Sequence, residues 1–127
     1  SDIKFDYIVF GDILEHTTDP ETLVKFFKSY LKDNGKIIIS LPNVVNWMVR
    51  FKVLFGSFEH DEGILHKGHL KFFTLNTARR FIQDCGLKIL SLRNNNGTAP
   101  FRFLGRIWMP LFAFQFVFKC GLDKSSK

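Results

Sequence analysis

A chain of 127 residues has room for one domain with a modest core, burying somewhat under ~70% of the surface that its unfolded form would expose. Hydrophobic residues at 46% and charged residues at 24% are a globular composition and exclude long disorder. The net charge of +6 is spread along the chain rather than gathered in one block, which argues against a nucleic-acid binder and leaves mild attraction to anionic substrates or membrane surfaces.

Sixteen phenylalanines supply more ring surface than so small a core needs, so part of it is expected to serve an interface, an acceptor pocket or a missing part of the protein. Cys85 and Cys120 make no metal-like pair and read as reduced, buried thiols of a cytoplasmic protein. The opening SDIKFD does not read as a signal peptide. No stretch reaches the ~18 uninterrupted apolar residues of a membrane span, since Arg102 and Arg106 break the last hydrophobic region.

Taken in order, Phe5–Phe10 is a near-continuous apolar run and predicts a strand buried on both faces, as at the centre of a parallel sheet. Gly11-Asp12 turns the chain and Glu15-His16 follow. Asp19 then caps a helix, with Pro20 at its first position and Glu21 on the favourable side of the dipole. Leu23, Phe26, Phe27, Tyr30 and Leu31 recur at helical spacing as its inward face, and Asn34-Gly35 is expected to stop it. Lys36–Leu41 is a second buried strand, ended by Pro42-Asn43. The order β-α-β implies parallel pairing, and in such a sheet ligands lie beyond the carboxyl ends of the strands. Chemistry is therefore expected near Asp12, Glu15 and His16.

Val44–Phe55 is apolar on nearly every side and reads as a buried core helix, with acceptor binding or membrane contact as the alternative. Gly56–Lys71 is a polar loop that holds His60, His66 and His69. Their spacing matches no standard zinc pattern, so no metal is expected; a histidine-bearing lid over an acceptor and ordinary loop histidines both fit. Thr74 caps a further helix whose inward face is Leu75, Ala78, Phe81, Ile82 and Cys85, with Gly86 as its stop. Leu87–Arg93 is a third strand, and Asn94-Asn95-Asn96-Gly97 a turn. Phe101–Met109 suits a short helix or lid ended by Pro110. Phe112, Phe114, Phe116 and Phe118 then alternate with other residues as the core stripe of a last strand, and the polar tail after Cys120 is expected to fray.

Read together, FDYIVFGDILEHTTDPETLVKFF, NGKIIISLPNV and HLKFFTLNTARRFIQDCGLKIL resemble the second half of a class I S-adenosylmethionine-dependent methyltransferase, in the branch that modifies small molecules and sugars. The resemblance covers about residues 3–95 and lies in the ordered set, each piece alone being weak. It implies an α/β fold: a partial Rossmann-like methyltransferase sheet carrying the fourth to seventh strands, the last antiparallel, with flanking helices. Residues 1–127 would form a single partial domain lacking the N-terminal cofactor-binding half, since the chain has no G-x-G turn between a strand and a helix. Little or no S-adenosylmethionine binding is expected of it alone.

By the same resemblance, Gly11, Asp12 and Ile13 would border the cofactor's amino-acid end and sulfonium. Glu15 and His16 match the family's LEH signature, where a histidine titrating near neutrality can remove the acceptor's proton. Pro42 and Asn43 would lie on the acceptor side, with Trp47, His66 and His69 as further acceptor contacts. The implied function is methyl transfer to a small-molecule, sugar or cell-envelope acceptor. A non-catalytic module that binds a protein partner or a membrane through its aromatic surface is the competing reading. An unpaired edge on the first strand would invite a homodimer.

Overall fold

The computed structural model describes residues 2–44, 47–56, 71–95 and 114–125. Among the described residues, four strands, β1 (Phe5–Gly11), β2 (Leu31–Pro42), β3 (Leu87–Asn95) and β4 (Gln115–Leu122), form one sheet in the order β1-β2-β4-β3. β1 and β2 are parallel, and β4 runs antiparallel to both β2 and β3. A 3₁₀ turn (Leu14–His16) and α1 (Pro20–Lys28) connect β1 to β2, α2 (Trp47–Leu54) follows β2, and α3 (Leu75–Asp84) precedes β3. This is the expected mixed α/β sheet with an antiparallel last strand.

Strand pleating decides where the core sits. Ile37, Ile39 and Leu41 of β2 stand opposite Cys120, Phe118 and Phe116 of β4, and all six are fully buried. Phe10 extends that face onto β1, beside Ile39. Val24 of α1 and Ala78 and Ile82 of α3 pack into the same cluster. The Phe116 and Phe118 rings are thus core. The opposite row on β1 is open, with Phe5 and Tyr7 exposed and Val9 at 61% exposure. Burial of the first strand on both faces is therefore corrected: among the described residues, helices pack on only one face of β1.

The first helix is shorter than expected. It ends at Lys28, capped by Ser29, and Leu31 already pairs with Phe5. Asn34-Gly35 does not stop the helix. It sits where the β1–β2 register jumps from Phe5/Leu31 to Tyr7/Lys36, so that Lys32 to Gly35 stand against Asp6 alone. A Cβ at Gly35 would lie 2.6 Å from Leu31 Cγ, so only glycine fits this close approach. Phe26 and Phe27 are exposed and stack edge-on with one another, because Leu23 and Val24 already fill the inward face. α2 departs from a buried core helix in the same way. Val49 is buried, while Phe51, Val53, Leu54 and Phe55 are exposed, Leu54 at 78%. At the C-terminal side, Asn94 and Asn95 continue β3, and β4 runs through Gly121 and Leu122, which pair with Lys88 and Leu87 rather than fray. The lid at 101–109 lies outside the described residues.

α3 follows expectation closely. Thr74 Oγ1 accepts from the Thr77 backbone N–H at 3.1 Å, and Thr77 Oγ1 accepts from the Thr74 N–H at 2.8 Å, a reciprocal cap. Gly86, at φ 73, ends the helix in the left-handed region. Thr74→Ala should lower stability by about 1 kcal/mol, read as a lower urea midpoint with unchanged slope, whereas Thr74→Ser should stay close to wild type.

Both cysteines are free and buried. Burial pushes the Cys85 thiol up to about 11 and the Cys120 thiol up to about 12. A thiol whose folded pKa is raised contributes stability that is complete below its unfolded value and is lost as pH climbs, because the unfolded chain releases the proton first. Stability should therefore decline as pH rises above ~8.5, and a Cys85→Ala/Cys120→Ala double variant should show a shallower decline. A disulfide reagent at about pH 8 should label neither thiol until denaturant is added.

Candidate functional site

The carboxyl ends of the parallel strands β1 and β2 lie side by side, with Gly11 paired to Ser40. Gly11 leaves the space beside its α-carbon open, since a Cβ there would meet no atom within 4 Å. The next residue, Asp12, takes φ 51, a left-handed conformation that Asp tolerates better than most side chains. That reversal swings the chain out of the strand. Ile13 is left exposed and the 3₁₀ turn of Leu14, Glu15 and His16 is carried just beyond the sheet.

Leu14 anchors that turn in the core, and Glu15 beside it is 1% exposed. The His16 side chain is 41% exposed, and its Nε2 lies 3.9 Å from Glu15 Oε1. This is too long for a hydrogen bond but close enough for the carboxylate to oppose a positive charge on the ring. The backbone ties the turn to distant parts of the chain. The Lys71 N–H donates to the Glu15 carbonyl at 2.9 Å, and the Val44 N–H donates to the Phe73 carbonyl at 3.0 Å. Asn43, fully buried, bridges to Phe73 and donates its N–H to the Phe114 carbonyl at 3.0 Å. The 71–74 segment thus runs across both strand ends before α3 begins.

Seven of the expected residues, Gly11, Asp12, Ile13, Glu15, His16, Pro42 and Asn43, therefore share one end of the sheet. Trp47 opens α2 close behind them in the chain. His66 and His69 fall outside the described residues. Among the described residues no three or more His, Cys, Asp or Glu side chains are grouped to hold a metal ion. No described helix is long and apolar enough to cross a membrane.

Two residues at this end escape a reading of the sequence. The Asp12 N–H donates to Ser40 Oγ at 3.1 Å, and the Ser40 hydroxyl donates back to Asp12 Oδ1 at 2.8 Å. Gln115, at the start of β4, donates from Nε2 to Asp12 Oδ1 and, at 3.3 Å, to Ser40 Oγ. A signal was present for each. Ser40 is the polar residue inside IIISLP, and Gln115 the polar residue inside FAFQFVF.

Comparison with known proteins places the fold. A family model described as "Methyltransferase domain" matches residues 1–92. No curated protein sequence matches the chain. Among solved structures, the chain is similar to a SAM-dependent methyltransferase, possible histamine N-methyltransferase, from Thermotoga maritima, at TM-score 0.63 and 15% identity over 97% of this chain and 57% of that one. It is similar to a SAM-dependent methyltransferase from Archaeoglobus fulgidus, at TM-score 0.60 and 12% identity over 92% of this chain and 59% of that one. A magnesium protoporphyrin IX methyltransferase from Synechocystis PCC 6803, solved with bound SAH, is similar at TM-score 0.54 and 14% identity, over 93% of this chain and 44% of that one. The chain thus spans roughly half the length of the structures it matches.

Proposed function

The chain belongs to the class I S-adenosylmethionine-dependent methyltransferase family, and we propose that the end of its sheet is the acceptor side of a methyl-transfer site for a small-molecule, sugar or cell-envelope acceptor. The observation that carries this reading is the Glu15-His16 pair on a turn set directly beyond β1, one residue buried and the other open, beside the unfilled space at Gly11. That space, the exposed Ile13 and the Asp12 carboxylate fit the amino-acid end and sulfonium of S-adenosylmethionine. When bound, the cofactor supplies a methyl carbon on a positively charged sulfur.

The rest of the step falls to this chain's own side chains. With the cofactor bound, His16 would take the acceptor's proton on its imidazole while the acceptor's lone pair forms the new bond to carbon and the carbon–sulfur bond breaks with its electron pair left on the now neutral sulfur. Glu15, held in place by Leu14 and by the Lys71 contact to its carbonyl, sets an opposite charge near the ring that becomes cationic. Pro42 and Asn43 close the acceptor side, Trp47, His66 and His69 are proposed as further acceptor contacts, and the exposed ring pair of Phe51 and Phe55 offers an apolar surface for an acceptor or a membrane. Nothing in the 127 residues reads as a G-x-G turn, so affinity for the cofactor is expected to be weak in this chain by itself. The outer edge of β1 is open to a second copy among the described residues.

Calorimetric titration of S-adenosylhomocysteine, run on the 127-residue chain and on the full reading frame of its gene, tests the reading. Tight binding by the second and weak binding by the first is the expected pair. Binding by neither would remove the enzyme reading and leave the interaction module.

A further inference from the structure

Asp12 is a non-glycine residue at positive φ, and side chains from two other strands converge on it. We propose that Ser40 and Gln115 are positioning residues: they clamp Asp12 in its left-handed conformation, so that the Gly11–Ile13 segment leaves the sheet at the angle that exposes its backbone and its second carboxylate oxygen to a cationic group of the ligand. The inference rests on the reading of that segment as the cofactor-facing one.

The hydrogen-bond inventory separates this role from catalysis. A serine hydroxyl has one proton to donate and two lone pairs to accept with. Ser40 Oγ uses all three, accepting from the Asp12 N–H and from Gln115 Nε2 and donating to Asp12 Oδ1. Nothing is left over for a substrate, so Ser40 acts through Asp12. Asp12 Oδ1 in turn accepts from both Ser40 and Gln115, whereas Oδ2 carries no hydrogen bond among the described residues. The pattern closes a ring from backbone N–H to hydroxyl to carboxylate within one residue. Such a ring fixes both the main chain and the side chain of Asp12. It also couples β1, β2 and β4 at the point where the site begins, although Ser40 and Asp12 are 28 positions apart and Gln115 is 103 positions from Asp12. A left-handed aspartate is disfavoured on its own, so a clamp of this kind is what keeps the conformation populated.

The test measures S-adenosylhomocysteine affinity from amide shifts of the ¹⁵N-labelled chain, together with the Asp12 amide-to-Hα coupling that reports its φ. Ser40→Ala and Gln115→Leu should each weaken binding by about tenfold, the loss expected for an interrupted hydrogen-bond pair, and should move the Asp12 coupling. Ser40→Thr, which keeps the hydroxyl, should restore both. A merely structural role would alter thermal stability without this rescue pattern. If Ser40→Ala and Gln115→Leu bind like the wild type, the proposal is overturned. If the wild-type chain itself shows no binding, the methyl-transfer reading is decided separately by the same titration of the full reading frame, and the clamp by the coupling: an Asp12 unmoved in both variants overturns it.

Discussion

Phe118→Ala should destabilise the fold by about 3–5 kcal/mol. The ring is fully buried, stands opposite Ile39 on β2 and Leu92 on β3, and lies 6.2 Å from the ring of Phe116. Three strands therefore meet on one side chain. Its removal leaves a cavity that β4 cannot collapse into, because β4 is hydrogen-bonded on both edges. A domain of this kind has roughly 5–15 kcal/mol of stability in all, so the variant should be partly unfolded at ambient temperature, with a much lower urea midpoint. Leu54→Ala on the exposed side of α2 is the control, since surface changes usually stay within about 0.5 kcal/mol. Equal losses from the two would show that the core has been misplaced.

His16→Gln should lower the methylation rate by about 10²–10⁴-fold, the usual contribution of a positioned general base. The side chain is half exposed at the mouth of the site and, among the described residues, belongs to no core cluster, so its loss should change stability little. Glutamine keeps the size and hydrogen-bonding capacity of the ring but cannot accept the acceptor's proton. S-adenosylhomocysteine affinity should therefore hold while turnover falls. Glu15→Gln should show a smaller loss of rate accompanied by some loss of stability, because that side chain is buried beside Leu14. A His16→Gln protein that turns over at the wild-type rate would return His16 to an ordinary surface residue.

How far the sequence reveals this molecule depends on whether a signal is local. The apolar centres of the strands, the Asp19 and Thr74 caps and the Gly86 stop are encoded in adjacent residues and are found in the structure, whereas the strand limits differ, β2 beginning at Leu31 and β4 running from Gln115 to Leu122. The pleat of β4 is legible in the same way, since alternation alone puts Phe116 and Phe118 in the core. What fails is anything set by the sheet as a whole. An apolar run such as Phe5–Phe10 reads the same whether one face of its strand is covered or both, so the openness of Tyr7 and Val9 is decided by which elements pack on each face. Asn34-Gly35 reads as a helix stop but serves a register jump that exists only once β1 and β2 pair. The candidate site divides along the same line. The Gly11 to His16 stretch is contiguous and was visible, whereas the Asp12–Ser40–Gln115 ring joins three strands, with nothing in the sequence to say that Gln115 returns to Asp12.

The measurement that bears most directly on the central claim is an amide-shift map of the ¹⁵N-labelled chain titrated with S-adenosylhomocysteine, which detects even weak binding. Shifts should concentrate at Gly11, Asp12 and Ile13 and reach His16 and Asn43, with the far ends of β3 and β4 at Leu87 and Leu122 unmoved. Shifts centred on that opposite end, or none at saturating ligand in both the chain and its full reading frame, would contradict it.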